Sequence, residues 1–350
     1  MTDYLKLTAY FEERLRYGER FLSDALLDRC GDNAVATSVV LRGIASFGPH
    51  HVLRSDQSLS LSEDSPIAVA AVDTTDKMAG LADEISAMVP RGLVTLERAR
   101  LGGSSPPPDA AKLTVYVGRQ HRADGRPAYH AVCDVLDRHG FAGASVFLGV
   151  DGTARGQRKR ARFFSRNMDV PMMIIAVGTG GQVSAALPEL EKLLQEPLFT
   201  IERAQLCKRD GEMLARPAAL PAVDDRGRAL WQKLTVYTSE AELHDGTPIH
   251  RAIVQQLCES GAASGATVLR GIWGFHGDHK PHGDKLVQLV RRVPVTTIVV
   301  DAPARIAASF DIIDRLTDEH GLVTCELVPA LVSIDGGERR GGTGLADYRY

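Results

Sequence analysis

The sequence predicts an α+β chain built from three copies of one β-α-β-β-α-β unit. Two observations carry that expectation. KLTVY stands at 112–116 and again at 233–237, with KLTAY at 6–10. A spacing of about a hundred residues is too long for a solenoid repeat and suits a small domain. The apolar run SPIAVAAVD (65–73) likewise recurs as VPMMIIAVG (170–178) and VPVTTIVVD (293–301), aligned on Pro66, Pro171 and Pro294.

Each element follows from local pattern. KLTVY opens a strand. A helical stretch comes next, with Ala128, Val132, Val135 and Leu136 in the second copy and Ile249, Ile253, Val254 and Leu257 in the third. Pro127 and Pro248 stand just inside the expected helix starts, where a missing N–H does no harm. β-Branched strands follow at 35–44, 144–150 and 266–275, each leading into a long polar loop. The proline-led third strands feed helices striped by Met78, Leu81, Ile85 and Met88, then Val183, Leu187, Leu190 and Leu194, then Ile306, Phe310, Ile313 and Leu316. GLVTLERA (92–99), PLFTIERA (197–204) and GLVTCELV (321–328) close the copies. That order is the ferredoxin-like split unit.

The boundaries predicted are repeats at 1–101, 112–208 and 231–332, linkers at 102–111 and 209–230, and a disordered tail at 333–350. The third strands are near-continuous apolar runs rather than alternating ones, which implies burial on both faces. Three sheets facing inward with helices outward, an intrachain pseudo-trimer, is the simplest arrangement that covers them.

Composition narrows the function classes. The chain has 350 residues, 44% apolar, with a formal net charge of −3, so no basic field points to nucleic acid. No apolar run reaches the length of about eighteen residues that a membrane helix needs. MTDYLKLTAYFEER carries acids where a signal peptide needs an apolar run, so a cytoplasmic chain, not embedded in a membrane, is expected. Five cysteines without a CxxC pair read as buried thiols.

LRGI-x-x-FG (41–48), the looser LRGIWGFHG (269–277), LSEDSPIAVAAVD (61–73) and GLVTLE (92–97) resemble the PII-like proteins of domain-of-unknown-function family 190. Repeats one and three match best; repeat two reads FLGVDGT where the others read LRGI-x-x-F. The resemblance implies a PII-like trimeric architecture, here within one monomeric chain of pseudo-threefold symmetry. It also implies adenine nucleotides in clefts between units and loops after the second strand that report to partners, among them a membrane transporter or channel. The Gly-rich, Lys-containing phosphate loop of PII proteins is absent from PRGLVT (90–95), QEPLFT (195–200) and EHGLVT (319–324), so the ligand does not carry over with the fold.

Candidate sites follow. Arg42 and Arg270, with Gly43 and Gly271, stand where the long loops depart, beside Phe47 and Gly48 in the first. Glu97, Glu202 and Glu326 recur two residues after a threonine, and Arg–Glu pairs across neighbouring repeats would either satisfy a rim or frame a polar cleft. ARGQRKRARFFSR (154–166) offers Arg158 and Arg160 to a small anion, a nucleotide or an acidic partner surface. HGDHKPHGD (276–284) spaces His276, His279 and His282 at three-residue steps, a pattern suited to zinc, copper or nickel. AVGTGGQV (176–183) imitates a dinucleotide fingerprint, but its counterparts VDTTDKM and VDAPARI make it an ordinary strand-to-helix turn. No nucleophile elbow, Walker motif or HExxH helix is present. The sequence therefore favours a non-enzymatic ligand-sensing protein; the alternative is a CutA-like metal-binding protein using the His-rich loop, with an enzyme ranked below both.

Overall fold

The computed structural model of the chain describes residues 3–55, 64–101, 110–154, 157–158, 170–194, 197–276, 281–283, 293–335 and 337–348. The first repeat runs β1 (Asp3–Glu12), α1 (Leu22–Asp32), β2 (Thr37–Phe47), β3 (Pro66–Thr74), α2 (Thr75–Met88) and β4 (Gly92–Leu101). The second runs β5 (Ala110–Gly118), α3 (Ala128–Arg138), β6 (Gly143–Leu148), β7 (Asp151–Ala154), β8 (Pro171–Thr179), α4 (Gly180–Leu193), β9 (Leu198–Arg203) and β10 (Gln205–Arg209). The third runs β11 (Trp231–Ser239), α5 (Ile249–Ser260), β12 (Ala266–Arg270), β13 (Trp273–His276), β14 (Pro294–Asp301), α6 (Pro303–Leu316), β15 (Leu322–Val328), β16 (Ala330–Asp335) and β17 (Glu338–Gly342).

The result is a mixed α/β chain with six helices among the described residues and one large antiparallel sheet. In each repeat the KLTVY strand lies at the middle. β1 pairs with β3 and β4, and β2 flanks β3. The same pairings hold for β5 with β8 and β9, and for β11 with β14 and β15. The helix stripes read from the sequence are the buried faces. Pro127 and Pro248 stand one residue earlier than expected, as the residues preceding α3 and α5. Residues 176–183 form a strand-to-helix turn closed by a capping box, in which Thr179 accepts from the Gln182 amide and the Gln182 side chain accepts from the Thr179 amide.

Backbone pairing between repeats runs all the way round. Residues 37–40 of β2 pair with β7, residues 143–146 of β6 pair with β13, and residues 266–269 of β12 return to 43–47 of β2. A second circuit joins the fourth strands. Residues 100–101 pair with 200–201, β10 pairs with β15, and β16 pairs with β4. The sequence placed 151–154 in a loop; these residues instead continue the second strand onto the neighbouring repeat's sheet.

Two kinds of core result. Helices cover one face of each repeat, over clusters that contain Leu7 and Leu81, Leu113 and Leu187, or Leu234 and Phe310. On the opposite faces, Val39, Leu41, Tyr116, Phe147, Met173 and Leu269 pack in one cluster shared by all three repeats. This sharing explains the unbroken apolar runs of the third strands: one side meets helices and the other meets sister sheets.

The tail departs from expectation. Residues 333–335 complete β16, β17 pairs back on it, and Ala346 is fully buried. The glycine- and charge-rich composition reads as disorder, but the open edge of β4 gives this segment a ladder to join.

Candidate functional site

The repeated pentapeptide is explained by strand alternation. Successive side chains point to opposite faces, so Lys6, Thr8 and Tyr10 share one face while Leu7 and Ala9 share the other. Leu7 and Ala9 enter the helix-side core; Leu113 with Val115 and Leu234 with Val236 do the same. The lysines therefore face the centre, where the three sheets meet.

There they find the glutamates of the closing strands. Register places Lys6 opposite Glu97, Lys112 opposite Glu202 and Lys233 opposite Glu326. Each lysine also reaches the next repeat. Lys6 Nζ lies 3.3 Å from Glu97 and 2.6 Å from Glu202, and Lys112 Nζ lies 2.6 Å from Glu202 and also pairs with Glu326. Lys233 Nζ lies 3.0 Å from Glu326 and also pairs with Glu97. All six side chains are at least nine-tenths buried, three positive and three negative. Burial opposes ionisation of Glu97 and Glu326, but the surrounding lysines hold both carboxyls below their ordinary range. Burial also pulls Lys6 down despite Glu202 and Glu97, while Lys112, which reaches all three carboxylates, is held up.

The three carboxylates come close enough together to suggest a cation site. Three ammonium groups already occupy that space, and a further cation would be repelled by them. The cluster is an ionic network in which each lysine pairs with carboxylates of its own and the next repeat.

This changes the reading of the sequence candidates. Glu97, Glu202 and Glu326 do not pair with Arg42 or Arg270, and they face no cleft. Arg42 pairs with Glu13 instead, and the Arg270 guanidinium lies 2.7 Å from Glu240. Both acids follow directly on the first strand of the same repeat, and repeat two carries Arg119 and Leu148 at the matching positions. Gly43 and Gly271 serve the backbone: a Cβ on Gly43 would lie 2.7 Å from the Val268 carbonyl oxygen, where β2 crosses to the neighbouring sheet. A Cβ on Gly271 would lie 3.0 Å from that of Val146. Phe47 is buried in the helix-side core of repeat three, not a cleft, and Gly48 accepts a turn hydrogen bond from the His51 amide. Arg160 and His279 lie outside the described residues. His282 pairs through its backbone with Gly274, and the buried His276 Nε2 lies 3.0 Å from Glu242.

Three seams remain, each between the first helix of one repeat and the second-strand extension of the next. The first is charged. Arg158 crosses from repeat two to pair with Asp24 and, at 3.1 Å, Asp28 of α1, and at 2.7 Å with Asp151 of its own repeat. The second is aromatic: His130 of α3 stacks on Trp273 with ring centroids 3.9 Å apart, and Tyr129 meets His130 edge-on. The third is mostly apolar, where Cys258 of α5 donates to the His51 carbonyl and Ile44 and Phe47 join the repeat-three core. Asp24, His130 and Arg251 occupy the third residue of α1, α3 and α5, so one helix position supplies an acid, an aromatic ring and a base. The lysines of the pentapeptide and the helix acids were missed in the sequence; recurrence of Lys with T-x-E in all three copies was the signal that could have found the former.

These features define a mixed α/β protein assembled from three like units that interleave their strands. The DUF190 family model, described as an uncharacterized ACR, matches the chain at residues 4–101, 110–206 and 231–330, and the chain belongs to that family three times over. It is also similar to a UPF0166 protein of Aquifex aeolicus (strain VF5), 30% identical over 99 residues that make up 28% of this chain and 90% of that relative. One such relative thus corresponds to one repeat.

Proposed function

We propose that the chain is a non-enzymatic, PII-like ligand-sensing protein: three ferredoxin-like units closed into a pseudo-trimer, with unequal seams in place of identical clefts. Support for the architecture comes from the repeated order fourth–first–third–second strand and from the two circuits of pairing between repeats. The observation that carries the functional reading is the chemical divergence of the seams at equivalent positions. A homotrimer has three identical clefts, whereas a fused chain lets each change alone.

An anionic ligand, with adenine nucleotides as the first candidates, belongs at the seam between repeats three and one. At the first seam, Arg158 is already matched by three carboxylates, so an anion there must displace them. The second seam is filled by the His130–Trp273 stack. At the third, half-buried Arg251 takes the place of Asp24 and His130 and offers a guanidinium to phosphate. Isothermal titration with ATP, ADP and AMP should show at most one site per chain, lost in Arg251→Ala. Three equal sites, or one indifferent to Arg251, would sink the assignment. The loops after the second strands, through which a transporter or other partner would be contacted, differ as much as the seams do.

A second reading, a divalent metal on His276, His279 and His282, is supported by His276, whose contact with Glu242 resembles the carboxylate partner that orients metal-bound imidazoles. Zinc titration of the wild type against the triple alanine variant separates the readings, since unchanged stoichiometry excludes these histidines.

A further inference from the structure

The strand crossings between repeats can be compared at one ladder position. Val40, Val146 and Val268 each stand two residues before Arg42, Leu148 and Arg270, so the three are equivalent. Opposite them on the neighbouring strands lie Asp151, Trp273 and Ala45. In the first two seams this ladder residue is joined to the third residue of the adjacent helix. At the first, the Arg158 guanidinium bridges Asp24 and Asp151, at 2.7 Å from the latter. At the second, the Trp273 indole lies on the His130 ring, with centroids 3.9 Å apart and planes inclined by 22°. A flat group therefore spans both seams at the same place.

The third seam repeats these positions with different residues. Ala45 puts a methyl where Trp273 puts an indole, and a methyl cannot reach across to a helix side chain. The helix residue is Arg251, half-buried, and no hydrogen bond or ion pair holds it among the described residues. One turn further along the helices, Asp28 and Asp134 give way to Gln255, whose amide donates to Glu259 at 2.8 Å. The acids that pair with Arg158 at the first seam and with Arg126 at the second thus have a neutral counterpart here. A guanidinium in this setting has two ways to bind. Its N–H edge takes an anion, and its flat face stacks on an aromatic ring.

We propose that the third seam takes the ring of a purine nucleotide in the place that Trp273 fills at the second, with the ring stacked on the Arg251 guanidinium. The inference rests on the ligand-sensing reading above and adds which part of the ligand is recognised and what excludes it elsewhere. Indole and purine are both flat, fused pairs of a six- and a five-membered ring, so one can occupy the space of the other. Trp273 is then a built-in plug at the second seam and Arg158 a built-in plug at the first. Ala45 is the residue that leaves the third seam to a ligand.

The test is isothermal titration of the full chain with AMP and with ribose 5-phosphate, which keeps the phosphate and lacks the ring. AMP should bind at least about tenfold more tightly, the usual worth of stacking one base. Arg251→Lys keeps the charge and removes the flat face, so it should bind ribose 5-phosphate as the wild type does and lose the preference for AMP. Ala45→Trp, which plugs the third seam, should lose that preference too. If the two ligands bind the wild type equally and Arg251→Ala abolishes both, the ligand-sensing reading stands and the stacking proposal is overturned. A preference for AMP that survives Arg251→Lys places the ring elsewhere and overturns the proposal as well. If neither ligand binds the wild type, both the reading and the proposal fall.

Discussion

Six residues set the centre of this protein, and their worth lies in being together. Removing one partner of a buried ion pair leaves an uncompensated charge, at a cost of about 3–5 kcal/mol, whereas removing a matched pair costs far less. Lys112 reaches all three carboxylates, at 2.6 Å from Glu202, 3.7 Å from Glu97 and in contact with Glu326. Lys112→Met should therefore destabilise the chain by about 3–5 kcal/mol, read as a lowered urea midpoint. Lys112→Met combined with Glu202→Leu, which restores neutrality, should recover a substantial part of that loss. A single variant as stable as wild type would show that the network is ornamental. The lysines were present in the sequence as part of a repeated word, but their partners lie some two hundred residues away in places, as Lys6 and Glu202 do, and no local pattern connects them.

At the scale of elements, the second strands do most to hold the repeats together, because each runs past its own sheet and pairs with a neighbour's. The side chains at their ends give each seam its own chemistry. The second seam makes a direct prediction. Burial lowers the pKa of His130 below its usual value of 6.5, more than nearby Asp134 restores it. A group that resists protonation in the folded state stabilises the fold above its unfolded pKa, and that contribution fades as pH falls below it. Trp273 fluorescence, followed in a Trp231→Phe background, should thus be quenched by the imidazolium at a pH below 6.5, with thermal stability falling alongside it. A His130→Phe variant should lose that transition; quenching that persists without the imidazole would place its cause elsewhere. The helices and strands themselves were legible, because apolar spacing reports which face is buried. The partners of Arg42 and Arg270 were not. The sequence set them against the closing-strand glutamates, but side chains at the end of β2 meet the acid that follows β1.

For the molecule as a whole, the two pairing circuits mean that covalent continuity is not what keeps the repeats together. A chain with a protease site inserted at 102–109 and cut there should remain one particle in native mass spectrometry, held by the ladders between β2 and β7 and between β4 and β16. Separation of the first repeat on cutting would contradict that. No helix among the described residues is long and apolar enough to cross a membrane. The fusion matters in a different way: it frees three equivalent positions to become an acid, an imidazole and a guanidinium.

The sequence by itself determined the threefold repetition, the order of elements and the double-sided burial of the third strands, since all three are written in spacing and side-chain pattern within each hundred residues. Tertiary structure alone decided which charges meet, which glycines the strand crossings require, and how the seams differ. Those outcomes depend on distances between residues in different repeats, and a linear pattern carries no record of such distances until the sheets have closed.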